Sequence, residues 1–203
     1  MDNAAIGFRA HSGWAAAVAL GGPATSPQIL DRRRLATADP GIPGSKQPFH
    51  AAEGLPFGKA KALIDRCAGS SRELARRGLV GMIVDLSKRG HAVVRCSILL
   101  ASGGPLPDLE RILASHARIH AAEGELFRSV LFRAAEECEL PAAGIAERGI
   151  AARATGTLRI AREDWLSALA DMGKAVGPPW RQDEKLAATA AWIALAGGPA
   201  RPR

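Results

Sequence analysis

The apolar segment at residues 91–102 restricts the choice of fold more than any other stretch of the chain. It reads HAVVRCSILLAS and is apolar enough to lie centrally in a sheet. Residues 107–139 have the periodicity of one long helix, and AAGIAER at 142–148 has the pattern of a short strand. Because a helix of that length makes a standard crossover, the second strand can lie parallel to the first. These segments favour an α/β fold.

Three more strands are predicted near the start of the chain. Residues 4–10 (AAIGFRA) and 14–20 (WAAAVAL) are short and apolar, and a tight turn at 11–13 joins them. Residues 28–36 (QILDRRRLA) alternate only roughly between apolar and polar, which is typical of an edge strand. Since the connections are short, the three strands should form an antiparallel meander.

The remaining segments indicate loops and helices. Residues 37–49 contain three prolines and two glycines, which predicts a loop. A helix is expected at 56–67, with a break or cap at Ser70 and Ser71, and helix again through 86. Two helices are expected at 163–176 and 183–196, followed by a flexible C-terminal tail at 198–203.

Length and cysteine content indicate one soluble domain spanning 1–203. With 203 residues, 47% of them hydrophobic, the chain can bury a sizeable core. No apolar run approaches the ~20 residues that span a bilayer, and the start lacks the pattern of a secretory signal. The three cysteines are far apart and form no CxxC pair, so reduced thiols are expected rather than disulfides or a thiolate zinc site. We therefore expect a cytoplasmic protein without a membrane partner, and a homo-oligomer is compatible with the sequence.

The net charge of +7 points toward nucleic acid as a partner. The densest basic cluster is Arg32-Arg33-Arg34, in a segment whose alternation sends arginine to both faces. Arginine exceeds lysine and alanine is abundant, a composition that GC-rich coding bias also produces. The basic charge is therefore either a surface for a polyanion or ordinary solvation.

The segment SHARIHAAEGELFRSVLFR at 115–133 contains the strongest candidate site. At about 100° per residue, His116, His120 and Glu123 fall in the same stripe as the apolar side chains that should face the core. Buried imidazoles and carboxylates need partners. Histidines at i and i+4 match half of a helical zinc site, so His116, His120 and Glu123 are the predicted ligands of one zinc or manganese ion. A hydrogen-bonded polar network, or a helix rotated from this estimate, are the alternatives.

Two other sets of polar residues could join that site. The sequence His-Ala-Ala-Glu-Gly occurs at 50–54 and again at 120–124, so His50 and Glu53, at the start of a helix, are candidate ligand-binding residues. His11 follows the first strand. Thr155-Gly156-Thr157 gives only a faint loop signal for a phosphate site.

The order of elements resembles that of the ribonuclease-H-like superfamily, and within it the Holliday-junction-resolvase branch. The hairpin AIGFRAHSGWAAAVAL lies where such proteins carry Gly-Ile-Asp-Pro-Gly and a second strand, and RQDEKLAATAAW is similar to their late Asp-Lys segment. The resemblance implies a three-layer fold. Its mixed sheet would have antiparallel first strands, then parallel strands, with helices on both faces.

The resemblance also implies a site that this chain only partly matches. Such nucleases bind two divalent ions through carboxylates. The first carboxylate would fall near Arg9, and the end of the central strand reads Leu100-Ala101-Ser102 in place of a glutamate. Asp183, or Glu184, stands in a fitting position. The sequence therefore favours a non-catalytic domain that binds nucleic acid or a protein partner, with Arg9 among its ligand contacts.

A metal-dependent hydrolase acting on a phosphodiester is the alternative function. In it His11, Glu123 and Asp183 would be catalytic, and the two helical histidines would hold the metal that polarises a water.

Overall fold

The computed structural model describes residues 1–197. Five strands form one sheet: β1 (Asp2–His11), β2 (Trp14–Gly21), β3 (Gln28–Ala36), β4 (His91–Leu100) and β5 (Ala142–Ala146). The helices are α1 (Pro48–Ala52), α2 (Phe57–Lys88), α3 (Leu109–Leu113), α4 (His116–Glu137), α5 (Ile150–Leu158), α6 (Arg162–Val176) and α7 (Gln182–Ala196). The predicted tail at 198–203 lies outside the described residues.

The strand order across the sheet is β3-β2-β1-β4-β5. The pairs β1–β2 and β2–β3 are antiparallel, and β1–β4 and β4–β5 are parallel. The predicted mixed sheet, with a meander followed by parallel strands, is therefore confirmed. One consequence matters for the site: the carboxyl-terminal ends of β1, β4 and β5 lie at the same edge, called here the carboxyl edge.

Helices cover both faces of the sheet, as expected. One apolar core joins alternate residues of β2 to α5, α6 and α7, and the other joins Ile6 and Phe8 of β1 to α2 and α4. On the first face α7 lies directly against β1 at Gly7. A Cβ atom there would clash with the carbonyl oxygen of Ala187 and lie 2.5 Å from the amide nitrogen of Ala191. The absence of a side chain at Gly7 thus sets the close approach of α7.

Two helix predictions are wrong in their boundaries. The expected break at Ser70 and Ser71 does not occur, because α2 is continuous from Phe57 to Lys88. Its buried side carries Ile64, Cys67 and Ser71 at helical spacing, and no proline interrupts it, so packing holds the helix together. The long helix at 107–139 is instead two helices, α3 and α4, separated at residues 114–115.

The region after β5 also differs from the prediction. Three helices follow it rather than two, because α5 covers 150–158. Thr155-Gly156-Thr157 therefore lies within a helix and not in a loop. Within residues 1–197, none of the helices combines the length and apolar composition that a bilayer crossing requires. The cysteines are free thiols, with Cys67 and Cys96 buried.

Candidate functional site

Arg9 is the centre of an ion-pair network at the carboxyl edge. It lies at the end of β1, on the face covered by α7, and its Nε and Nη2 donate to the carboxylate of Glu147 at 3.1 and 2.9 Å. Its Nη1 donates to Oδ1 of Asp183, in the first turn of α7. The hydrogen bonds to Glu147, with the further contribution of Asp183, raise the pKa of Arg9 above its ordinary value. The edge therefore holds a permanent cation between two carboxylates.

His11 extends this network toward the surface. Its Nε2 lies 3.0 Å from Oδ1 of Asp183 and 3.0 Å from Nη1 of Arg9. Because arginine only donates and a carboxylate only accepts, Nε2 satisfies Asp183 when it carries a proton and Arg9 when it does not. The two hydrogen bonds are thus alternatives, selected by the protonation of one ring nitrogen.

Trp14 joins His11 to the edge strand β3. The His11 and Trp14 rings are stacked with centroids 4.3 Å apart and planes 8° from parallel. The guanidinium carbon of Arg34 lies 3.7 Å from the centroid of the Trp14 ring. Trp14 is therefore in contact with both the imidazole and the guanidinium. Cation–π attraction and stacking both hold this arrangement.

Two clefts open beside the network. One, of about 530 Å³, borders Arg9, and the other, of about 450 Å³, borders Trp14. Seven arginines and three carboxylates line them: Arg9, Arg128 and Arg148 with Glu147 in the first, and Arg32, Arg33, Arg34 and Arg181 with Asp183 and Glu184 in the second. Arg34, Arg148 and Arg181 form no ion pair with a carboxylate of residues 1–197. The clefts are therefore predominantly cationic.

Two of the three arginines in the cluster Arg32-Arg33-Arg34 make polar contacts within the protein. Arg32 donates to the backbone carbonyl of Gly177, beyond α6, whereas Arg33 pairs with Asp85 of α2 on the opposite face. The prediction that both faces receive arginine is confirmed. Only Arg34 of the three is exposed, so the run contributes less free charge than its sequence suggests.

Three histidines converge at a second location, between α1 and α4. His50, His116 and His120, called here the histidine cluster, each offer a ligand atom, and these atoms all lie within 4.8 Å of one another. The Nε2 atoms of His116 and His120 are 3.1 Å apart. Apolar packing brings the helices together, since Phe49 and Ala52 of α1 share a core with Ile119 of α4. Such a group of imidazoles can share protons or bind a cation.

Glu123 fastens α1 to α4 beneath the histidine cluster. Its Oε1 accepts from the backbone N–H of Phe49 at 2.8 Å and of His50 at 3.1 Å, and lies 3.2 Å from Nδ1 of His50. Burial raises the pKa of Glu123, and the hydrogen bonds from His50 and Phe49 oppose that rise. Its Oε2 is buried without a hydrogen-bond partner among the described residues.

No protein-family model and no curated protein sequence matches the chain. A structure of Thermus thermophilus RuvC in complex with a Holliday junction substrate is similar, with a TM-score of 0.56, 10% identity and 96% of each chain covered. A second structure of Thermus thermophilus RuvC has a TM-score of 0.54 and 11% identity, and the match covers 95% of this chain and 93% of that one.

The fold is ribonuclease-H-like. The expected resemblance to the Holliday-junction-resolvase branch is therefore confirmed at the level of fold. At these identities the likeness concerns the arrangement of strands and helices alone.

On this ribonuclease-H-like frame the predicted site residues fall into two groups. His11 and Asp183 belong to the Arg9 network, whereas His116, His120 and Glu123 lie with His50 at the second location. His11, His120 and Glu123 border one cavity of about 230 Å³, but the group of atoms at metal-ligand spacing includes neither His11 nor Asp183.

Two details of the prediction need correction. His116 and His120 are exposed, and only Glu123 is buried, at 3% exposure. Both rings belong to the first two turns of α4, where the buried residues Ile119 and Ala122 pack with α1 and α2, and only the later turns pack against the sheet. The two rings therefore lie beside α1 rather than against the sheet. Glu53 caps the end of α1, is exposed, and is absent from the histidine cluster.

Glu147, Arg148 and Trp14 are the site residues that sequence reasoning missed. The predicted strand at 142–148 enclosed Glu147 and Arg148, but β5 ends at Ala146 and both residues enter the cleft. Ligands of α/β sheets bind beyond the carboxyl ends of parallel strands. The polar pair directly after β5 was the signal that could have identified them.

Proposed function

We propose that this protein is a nucleic-acid-binding ribonuclease-H-like domain that does not perform two-metal hydrolysis. The observation that carries the proposal is the ion-pair network of Arg9 with Glu147 and Asp183. The cleft has the position and charge of a polyanion site, and a protein cation already neutralises its carboxylates.

The residues at the carboxyl edge do not fit a pair of divalent ions. Two such ions need several oxygen ligands, held in a rigid arrangement. Glu147 and Asp183 are the carboxylates that face Arg9, and both already accept its hydrogen bonds. The end of β4 contributes Ala101 to the cleft, which offers no side-chain ligand. We therefore assign no hydrolytic step to this cleft.

The remaining charge of the clefts suits a phosphate backbone. Arg34, Arg148 and Arg181 are exposed and have no carboxylate partner among residues 1–197, so they can reach phosphates without first breaking an ion pair. Arg34 can leave Trp14 for a phosphate, which would free one face of the indole for a base. Binding of this kind releases counterions and weakens as salt increases.

Binding to a labelled four-way DNA junction and to a duplex of equal length, measured by fluorescence anisotropy in EDTA, tests the proposal. The junction is chosen because a structural neighbour was solved with such a substrate. Wild-type protein should bind, and the substitutions R148E and R181E should each lower affinity and reduce the slope of log K against log salt by about 1.

Lys88→Glu is the matched control. Lys88 is exposed at the end of α2, next to the start of β4, and hence at the edge opposite the clefts. It changes the charge by the same amount and should leave junction affinity nearly unchanged. Equal losses for K88E and R148E would show general charge attraction rather than a site.

Incubation of the junction with Mg²⁺ or Mn²⁺ tests the second half of the proposal. The expected result is binding without cleavage. Metal-dependent cleavage that disappears in D183N would contradict the non-catalytic assignment, while leaving the binding assignment intact.

A further inference from the structure

The histidine cluster is separate from the Arg9 network and is not needed for nucleic-acid binding. It combines one imidazole from α1 with two from consecutive turns of α4, with ring centroids between 4.6 and 5.2 Å apart. Every pair of rings is close to perpendicular, at 66–84°. The rings therefore meet edge to face instead of stacking, and one nitrogen from each ring lies within 4.8 Å of the other two.

We propose that His50, His116 and His120 bind one zinc ion. Zn–N distances of about 2.0–2.1 Å in a tetrahedral site place ligand nitrogens about 3.4 Å apart. The Nε2 atoms of His116 and His120 are 3.1 Å apart, and one nitrogen from each of the three rings lies within 4.8 Å of the other two. Rotation of the exposed His116 and His120 rings can bring these separations to the spacing that a zinc ion requires.

The alternative to an ion is a proton shared by His116 and His120. Two unprotonated nitrogens 3.1 Å apart oppose their lone pairs, so one must carry a hydrogen and donate to the other. That hydrogen bond accounts for two of the rings, and Glu123 holds the Nδ1 side of His50, but neither contact explains why the His50 ring converges on the other two. A cation between the three satisfies all of them, which favours the metal site.

Glu123 acts as a positioning residue and not as a ligand. Its Oε1 already accepts two backbone N–H groups and lies 3.2 Å from Nδ1 of His50. A proton on Nδ1 donated to this carboxylate leaves Nε2 of His50 with its lone pair free for a metal. Metal-bound histidines usually make this second hydrogen bond, which fixes the ring and increases its basicity.

The proposed site has an open coordination position. Three protein ligands with a fourth exchangeable position are the pattern of catalytic rather than structural zinc sites. His116 and His120 are exposed, and His120 borders the cavity of about 230 Å³ that also reaches His11. The fourth ligand is therefore a water molecule or an anionic oxygen small enough to enter that cavity.

Zinc titration of chelator-treated, dialysed protein, with a competing chromophoric chelator, tests the site. Wild-type protein should bind one zinc per chain, and Co²⁺ should give the visible absorption of a four-coordinate nitrogen site. H116A and H120A change exposed side chains, so they should fold normally and lose roughly 100-fold or more in affinity. E123Q should lower affinity about 10–100-fold while keeping one ion per chain at saturation.

His91→Gln is the matched control, because His91 begins β4 and lies outside the histidine cluster. It should bind zinc like wild type. Should the double variant H116A/H120A bind zinc as tightly as wild type, the site does not exist. The junction-binding assay is run in EDTA, so failure of the metal proposal and failure of the proposed function give different results.

Discussion

Replacing Arg9 with methionine tests whether its guanidinium stabilises the carboxyl edge as an internal counterion. Methionine has a similar length and apolar stem but cannot donate the three charge-assisted hydrogen bonds to Glu147 and Asp183. It also leaves two carboxylates facing each other. The substitution should therefore destabilise the fold even though the position is at the end of a strand.

The expected magnitude follows from the exposure of the three side chains. Arg9, Glu147 and Asp183 are 23%, 37% and 26% exposed. Fully buried charged hydrogen bonds contribute about 1.5–3 kcal/mol each, and exposed ion pairs about 0.2–1 kcal/mol. An intermediate value of about 1 kcal/mol per bond gives a loss of about 3 kcal/mol. For a chain of this size, that loss lowers the melting temperature by roughly 6–12 °C.

Urea denaturation followed by circular dichroism measures the change, with R77M as the matched control. Arg77 pairs with Glu73 on the surface of α2, where the two side chains are 63% and 47% exposed, so R77M should cost less than about 0.5 kcal/mol. A double-mutant cycle of R9M with E147Q should give a coupling of about 1–2 kcal/mol. Equal losses for R9M and R77M would refute the counterion role.

Three further predictions concern packing and burial. G7A should destabilise by about 3 kcal/mol because the new Cβ meets backbone atoms of α7, whereas G69A, with nothing within 4 Å, should stabilise by up to about 1 kcal/mol; denaturation curves of the two variants check this. Burial raises the pKa of Cys96 to about 12, so this thiol should stay unreactive toward a disulfide reagent at pH 8 until the protein is denatured, as measured by labelling and peptide mapping. In metal-free protein, E123A should lower the free energy of unfolding by about 2–4 kcal/mol, since two backbone N–H groups lose their acceptor. The control E125A, whose side chain is 55% exposed, should lower it by less than about 0.5 kcal/mol. Equal losses for the two variants would contradict the role of Glu123.

The sheet was predictable because its signals are local. Apolar runs bounded by Gly21-Gly22-Pro23 and by Gly103-Gly104-Pro105 define strands whatever else packs on them. The break between α3 and α4 had no comparable signal. It contains neither glycine nor proline, only Ala114 and Ser115, and Ser115 makes no side-chain cap hydrogen bond. The course of the chain there depends on packing against α1 and α2, which no local pattern records.

The residues of the candidate sites were predicted from the sequence, but the contacts between them were not. His11 and Asp183 were recognised, but their contacts with each other and with Arg9 depend on how α7 lies across the end of β1. The repeated sequence His-Ala-Ala-Glu-Gly also shows that contacts could not be predicted from the sequence. The hydrogen-bonded pair takes His50 from the first copy and Glu123 from the second, while Glu53 is exposed. The two copies of the same sequence thus make different contacts, because the packing of α1 against α4 decides which of their side chains meet.

The contact of α7 with β1 at Gly7 has a consequence for altering this protein. Backbone meets backbone there, so the approach of α7 to β1 at this point does not rest on the side chains at positions 9 and 183. A carboxylate at position 9 would therefore face Glu147 and Asp183 with no cation between them, and would need a bound cation to replace the guanidinium. The charge at this one position thus decides whether the cleft holds its own counterion or must take one from solution.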